Sequence, residues 1–322
     1  MKLKVLITAP YMQKELEDYR NIFKKNDIEI VVPPVRERLA EAELLEWISD
    51  IDGVIAGDDQ FTARVLKSAP RLKVISKWGT GIDSFDRKAA GDLGIAIRNT
   101  PGAFNEPVAD QVLGYMLSFA RQIPWIDERM KDGDWDKIQC FSLSGRTLGI
   151  IGVGNTGKAV AERAAAFKMR LLGNDVSEIP QDFLEKTGIE MVDKETLLCE
   201  SDFVSLNCDL NPTSYHIMGR DEFSLMKPTA YFMNAARGPL VHEPGLVEAL
   251  QLKKIAGAGL DVFEDEPLPK DSPLRSMSNV LLSPHNANSS REHWRRIHES
   301  TIRNLLEELK GDREPREVAV RI

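Results

Sequence analysis

The chain has 322 residues, enough for two domains with sizeable cores. Apolar residues make up 42% and charged residues 29%, the balance of a folded, water-soluble chain and not of a disordered one. The net charge of −8 argues against general binding to a phosphate backbone.

The opening stretch, MKLKVLITAP, is too short an apolar run for a secretory signal and reads as a first buried strand. Strands are expected at 4–10, 28–33, 53–58, 72–78 and 94–99, with helical stretches such as KELEDYRNIFKK between them. Short apolar strands separated by helices imply a parallel sheet covered on both faces. A long helix is predicted over 105–122, capped by Asn105, with Pro107 in its first turn. Val108, Val112, Leu113, Met116, Leu117 and Ala120 share one of its faces. A second alternating series places strands at 147–154, 170–175, 203–208, 230–236, 256–263 and 279–285, and a final helix at roughly 288–310. The two series are expected to form two packed domains. No stretch approaches the roughly 18 apolar residues of a membrane span, so the cytoplasm is the expected compartment. Cys140, Cys199 and Cys208 show no paired or Cys/His spacing, so neither a disulfide framework nor a metal site is expected.

Chemistry concentrates in the second series. In TLGIIGVGNTGKAV, Gly152, Gly154 and Gly157 form G-x-G-x-x-G directly after a buried strand and at the start of a helix. Glycines permit the tight turn and let backbone N–H groups approach a pyrophosphate at the positive end of the helix. Asp175 ends the next strand about 20 residues on, where a carboxylate accepts the ribose hydroxyls. The following DVSEIP holds no Arg or Lys to receive a 2′-phosphate, which favours NAD over NADP. Ligands in such sheets sit beyond the carboxyl ends of the strands. There Arg237 (in MNAARGPLV), Asp261 (in GLDVFEDEP) and His285 (in LLSPH) come from three separate strands.

Taken together, KWGTGIDSFD (77–86), GIAIRNTPGAFNEPVAD (94–110), ARQIP, MKDGDW, the glycine turn, MNAARGPLV, AGAGLDVFEDEPLP and SPH resemble the D-isomer-specific 2-hydroxyacid dehydrogenases, nearest their 3-phosphoglycerate dehydrogenase-like branch. The resemblance implies two doubly wound parallel-sheet α/β domains. A Rossmann NAD-binding domain (100–286) is inserted in a flavodoxin-like substrate-binding domain made of 1–99 and 287–322. It also implies a homodimer built largely on the helical region after residue 100. The catalytic group it implies is Arg237 for the substrate, Glu266 as acid partner and His285 for proton transfer. The implied cofactor site comprises Thr80, Gly152, Gly154, Asn155, Thr156, Gly157, Asp175, Cys208, Ala235 and Asp261, with Asp261 on the nicotinamide carboxamide. Lys77, Gly79, Thr80, Gly81 and Arg237 would hold the substrate, with Lys77 where an extra anionic group is read.

Two segments depart from the family pattern. Asn207, Cys208 and Asp209 stand where His and Pro are common, and His285 is followed by Asn286, Ala287 and Asn288 instead of a glycine-rich run. Feedback through an appended regulatory domain is not expected. His216 and His242 read as loop residues, His293 and His298 as solvated or packed residues of the last helix, and the five tryptophans as core. The functional expectation is hydride exchange between NAD(H) and a D-2-hydroxy acid or its 2-oxo acid, 3-phosphoglycerate included. The alternatives are a glyoxylate or hydroxypyruvate reductase and, in another class, an NAD(H)-sensing corepressor-like binding protein.

Overall fold

The computed structural model describes residues 2–311. The described residues divide into two compact units, 2–103 with 290–311 and 104–289. The division expected from sequence falls at 99/100 and 286/287, a few residues from these boundaries.

Among the described residues, the first unit carries a five-stranded sheet. Its strands are β1 (Leu3–Ile7), β2 (Ile28–Val31), β3 (Gly53–Ala56), β4 (Val74–Lys77) and β5 (Ala96–Arg98). Every pairing is parallel, in the order β2-β1-β3-β4-β5. β3 and β4 are buried along their whole length, which is why they read as continuous apolar runs. The helix Arg291–Lys310 returns to this unit and packs Ile302, Leu305 and Leu309 inward. It also carries His298, which is packed and fully buried. The Trp78 indole N–H donates to His298 Nδ1 at 2.9 Å. The stretch 14–25, read as one helix, breaks at Glu15 into Pro10–Lys14 and Leu16–Lys25.

The second unit carries a seven-stranded sheet, with the order β12-β11-β10-β9-β6-β7-β8. Its strands are β6 (Thr147–Ile151), β7 (Arg170–Asn174), β8 (Glu190–Met191), β9 (Phe203–Leu206), β10 (Tyr231–Asn234), β11 (Gly257–Leu260) and β12 (Val280–Leu282). β8 was not expected: its two residues are exposed and leave no apolar signal. The predicted strands 203–208, 230–236, 256–263 and 279–285 end two to three residues early. The residues trimmed from each form the turns that carry the functional groups.

The helix Asn105–Arg121 starts differently from expectation. Phe104 stands at the cap position, no side chain caps it, and Asn105 is already helical. Its buried face includes Tyr115 and Phe119 alongside the expected aliphatics, while Val108 and Leu117 are only half-buried. β11 accommodates those rings by lacking side chains. A Cβ on Gly259 would lie 2.6 Å from the Tyr115 ring, and one on Gly257 would lie 3.3 Å from Phe119. Phe119 stacks on Tyr231 of β10 with ring centroids 4.6 Å apart. Among the described residues no helix is long and apolar enough to cross a membrane.

Candidate active site

The glycine turn lies at the carboxyl end of β6, between β9 and β7 in the second sheet. Gly152 has φ +89°, and a Cβ there would meet Cys208 N at 2.5 Å. A Cβ on Gly157 would fall 2.0 Å from Gly152 O, so this glycine lets the helix Asn155–Ala166 close on the strand. Gly154 has open space where a side chain would be, and no side chain caps the helix it begins. One glycine thus serves the turn, one the helix packing, and one leaves room for a ligand to meet the backbone. Asp175, directly after β7, accepts Val153 N–H at 2.6 Å and Ser177 N–H at 2.7 Å. Both bonds fix its carboxylate beside the turn. Asn155 and Thr156 form the first helical turn, with Thr156 Oγ1 3.4 Å from Asn105 Oδ1. Cys208 backs the turn, and burial pushes its thiol up to about 11, so it stays protonated at neutral pH.

The other functional side chains leave the neighbouring strands β10, β11 and β12. The register aligns Asn234 with Leu260 and Leu260 with Leu282, so the three strands stop at one level. Arg237 follows three residues after β10, at the head of the 3₁₀ turn Gly238–Leu240. Asn234, which was not anticipated as a functional residue, builds this turn. Its Oδ1 accepts Ala236 N–H at 3.0 Å and its amide donates to Arg237 O at 2.9 Å. An Asn two residues before a tight turn is a readable Asx-turn signal. Arg237 Nη1 donates to Ala236 O at 2.9 Å. Gly238 presses on the next loop so closely that a Cβ would lie 1.8 Å from Phe263 O.

That loop carries Glu266. Its Oε1 accepts Phe263 N–H at 3.0 Å and its Oε2 faces His285 Nδ1 at 3.0 Å. His285 adopts φ +49°, a left-handed conformation that a β-carbon disfavours. It is held there by its own N–H, which donates to Asp261 O at 2.7 Å. Asp261 is buried, and its carboxylate accepts from Ser283 Oγ, from Asn286 N–H at 2.8 Å and from Ala287 N–H at 2.9 Å. Its oxygens are therefore engaged by the loop that carries His285. Ala235 lies just past β10, half-buried.

Beside this group lies a cluster that the sequence reading left as loop residues. His216 Nε2 meets Glu264 Oε1 at 2.5 Å, and Glu264 and Glu243 exchange backbone-to-carboxylate bonds of 2.8 and 3.3 Å. Burial raises the Glu243 carboxyl above its ordinary range. His242 accepts Gly245 N–H and caps the helix Glu243–Gln251.

The remaining sequence candidates belong to the first unit. Lys77, at the end of β4, is buried and ion-paired with Asp58 at 2.8 Å. Gly79 has φ +128°, and its carbonyl accepts both Thr100 N–H and Thr100 Oγ1 at 2.9 Å. Thr80 Oγ1 donates to Thr100 O at 3.1 Å, and Asn99 Nδ2 donates to Thr80 O at 2.6 Å. The turn through Gly81 is thus fixed by 99–100.

A glycine turn opening a helix, an acid after the next strand, and an arginine with a His–carboxylate pair at adjacent strand ends define a dinucleotide-dependent oxidoreductase of the parallel α/β class. The comparisons with known proteins narrow the class. The family described as D-isomer specific 2-hydroxyacid dehydrogenase, NAD binding domain, matches residues 113–287. D-3-phosphoglycerate dehydrogenase of Methanocaldococcus jannaschii is 37% identical over 96% of the chain, which spans 58% of that relative's length. Glyoxylate reductase of Korarchaeum cryptofilum is 36% identical over 98% of the chain and 95% of its own length. The solved D-lactate dehydrogenase of Aquifex aeolicus, complexed with NAD and lactic acid, superposes with a TM-score of 0.86 at 28% identity, covering 96% of both chains. The chain belongs to the D-isomer-specific 2-hydroxyacid dehydrogenases, and its cofactor is NAD.

Proposed function

We propose that the protein reduces a small, unphosphorylated 2-oxo acid such as glyoxylate or hydroxypyruvate to its 2-hydroxy acid, the D isomer where the product is chiral, and oxidises the alcohol in the reverse direction. The observation that carries this reading is the alignment of Arg237 with the Glu266–His285 pair at neighbouring strand ends in the sheet that holds the glycine turn. The backbone of 152–157 would take the pyrophosphate and Asp175 the ribose. When bound, the nicotinamide supplies or receives the hydride. The Arg237 guanidinium forks onto the substrate carboxylate and carbonyl oxygen and withdraws charge from the carbonyl. Glu266 holds the Nδ1 side of His285, which leaves Nε2 to give the substrate oxygen its proton during reduction and to remove it during oxidation. In this reading Ala235, Cys208 and Asp261 flank the cofactor.

The unphosphorylated substrate is favoured over 3-phosphoglycerate by Lys77. Its ammonium is buried and neutralised by Asp58, so a phosphate would have to displace a carboxylate to reach it. Glyoxylate reductases among the relatives support the same choice. An NAD(H)-sensing binding protein has no need of the Glu266–His285 pair, which argues for turnover.

The test is a screen of 2-oxo acids with NADH, phosphohydroxypyruvate included, followed by Arg237→Gln and Arg237→Lys on the best substrate. Both variants should lose kcat as well as raise KM, because the contact to the carbonyl oxygen strengthens toward the transition state. Lysine keeps the charge and loses the fork. An Arg237→Gln enzyme with unchanged kcat/KM contradicts the assignment. A preference for the phosphorylated acid overturns the substrate class alone.

A homodimer working in the cytoplasm completes the proposal. The helix Ile123–Lys131 buries no residue in its own chain, and Ile123, Met130 and Trp135 are exposed near it. Sedimentation of the purified chain as a monomer at micromolar concentration would remove the dimer.

A further inference from the structure

The helix Asn105–Arg121 places the Tyr115 hydroxyl in the interior of the second unit. Tyr115 is buried, and burial raises its phenol to about 12, so it keeps its proton over the whole working range. The hydroxyl lies 2.7 Å from Ser283 Oγ and 3.2 Å from Leu260 O, and Gln111, one turn earlier, also bonds it. Hydrogen counting gives this contact a direction. Ser283 has one hydroxyl proton, and it goes to Asp261 Oδ1. Ser283 has no second proton to offer, so the Tyr115 proton is shared between Ser283 Oγ at 2.7 Å and Leu260 O at 3.2 Å, with the shorter contact to Ser283.

Asp261 passes the constraint on. Oδ1 takes Ser283 and the Asn286 N–H, Oδ2 takes the Ala287 N–H, and its backbone oxygen takes the His285 N–H. The loop 283–287 is thus tied to Asp261 on both sides of His285, which sits in the unfavourable left-handed region. β11 gives up a side chain at Gly259 for the Tyr115 ring to lie this close.

We infer that Tyr115 and Ser283 are positioning residues for proton transfer: a directed chain, Tyr115 to Ser283 to Asp261, fixes the carboxylate that holds the His285 loop in its strained conformation. This rests on the reading of His285 as the proton donor. Tyr115 touches neither substrate nor cofactor in this account. Its effect falls on the aim of an imidazole, and small misplacements of a reacting group cost rate steeply.

The experiment measures kcat, KM, NADH affinity and thermal midpoint for Tyr115→Phe, Ser283→Ala, the double variant and Ser283→Thr, with His285→Asn alongside. Tyr115→Phe removes a single oxygen and keeps the ring packing, so it is expected to fold. Each single variant should lower kcat roughly tenfold with KM and NADH affinity within about twofold of wild type. The double variant should be no worse than the worse single one, because both break one chain. Ser283→Thr restores the hydroxyl and should recover most of the rate. Unchanged kcat in Tyr115→Phe overturns the inference. So do additive losses in the double variant, or lower thermal midpoints with full turnover per folded molecule. If His285→Asn keeps its turnover, the proton-donor reading fails and takes this inference with it. If His285→Asn is inactive while Tyr115→Phe matches wild type, only the inference fails.

Discussion

Two strand-to-helix turns in this molecule have the same topology and opposite construction. In the first unit β1 runs into Thr8, Ala9 and the helix Pro10–Lys14 without a glycine. The turn is closed from inside. Thr8 Oγ1 donates to Asp59 at 2.5 Å, and the buried Asp59 also accepts Gly57 N–H at 2.9 Å and Leu39 N–H at 2.7 Å. In the second unit β6 runs through Gly152 and Gly154 into a longer helix that no side chain caps. There the acid, Asp175, sits beside the turn and bonds Val153 N–H from its edge. The parallel sheet is common to both. Neither helix start carries a side-chain cap; the first turn spends the Thr8 and Ala9 N–H groups on Ile55 O and is structural, while the second leaves open space at Gly154 where a pyrophosphate can meet the backbone. Fold alone does not make the site.

The largest effect that can break this comparison is at Gly152. Its positive φ and the 2.5 Å approach of Cys208 N leave no place for a methyl group. Gly152→Ala should weaken NADH binding by the order of 100- to 1,000-fold, as strain and overpacking together move the turn. Thr8→Val, the matching change in the first unit, should lower the thermal midpoint and leave NADH affinity unchanged. Fluorescence titration of NADH against both variants reads the contrast. Equal affinities would show that the two turns do not differ in function.

Asp175 gives a smaller effect. Loss of charge-assisted bonds to the ribose in Asp175→Ala should weaken NADH by about 10- to 100-fold. It should also narrow the preference for NADH over NADPH, since the carboxylate repels a 2′-phosphate. Parallel titrations of both cofactors test this, and an unchanged ratio removes Asp175 from the ribose.

The smallest effect sharpens the first unit's side of the comparison. Burial raises the Asp59 carboxyl above its ordinary value, and the bonds from Thr8, Leu39 and Gly57 only partly offset this. A raised pKa in the fold means that the folded state binds the proton more tightly than the unfolded chain. The stability it contributes is present below the ordinary carboxylate range and is lost as pH rises through the raised value. The thermal midpoint of wild type minus that of Asp59→Asn should therefore fall as pH climbs through and above that range. A difference that grows with pH would contradict the assignment.

Much of the site was legible because its chemistry is local in sequence. The glycine turn, Asp175, Arg237 and His285 each follow an apolar run at the end of a strand. Residues that act through others were less visible. Tyr115 is separated from Ser283 by 168 positions, and its ring matters only because Gly259 lies opposite. The charge-rich sequence of its helix leaves His298 solvated or packed, and only the fold shows that it is packed against Trp78. The ends of β9 to β12 were misjudged because apolar character runs on past the last ladder bond into the functional turns, and β8 was missed because its two residues are exposed. The Lys77–Asp58 pair joins two neighbouring strand ends and could not be seen from either segment alone.

The central claim is that His285, held by Glu266, moves the proton that accompanies hydride transfer. The most direct measurement is single-turnover oxidation of bound NADH by a reactive 2-oxo acid in wild type and His285→Asn, with NADH affinity measured on the same samples. The account predicts a rate lower by roughly 10²- to 10⁴-fold, the scale of lost acid–base catalysis, with NADH binding retained. A His285→Asn enzyme that turns over within a few-fold of wild type would contradict it.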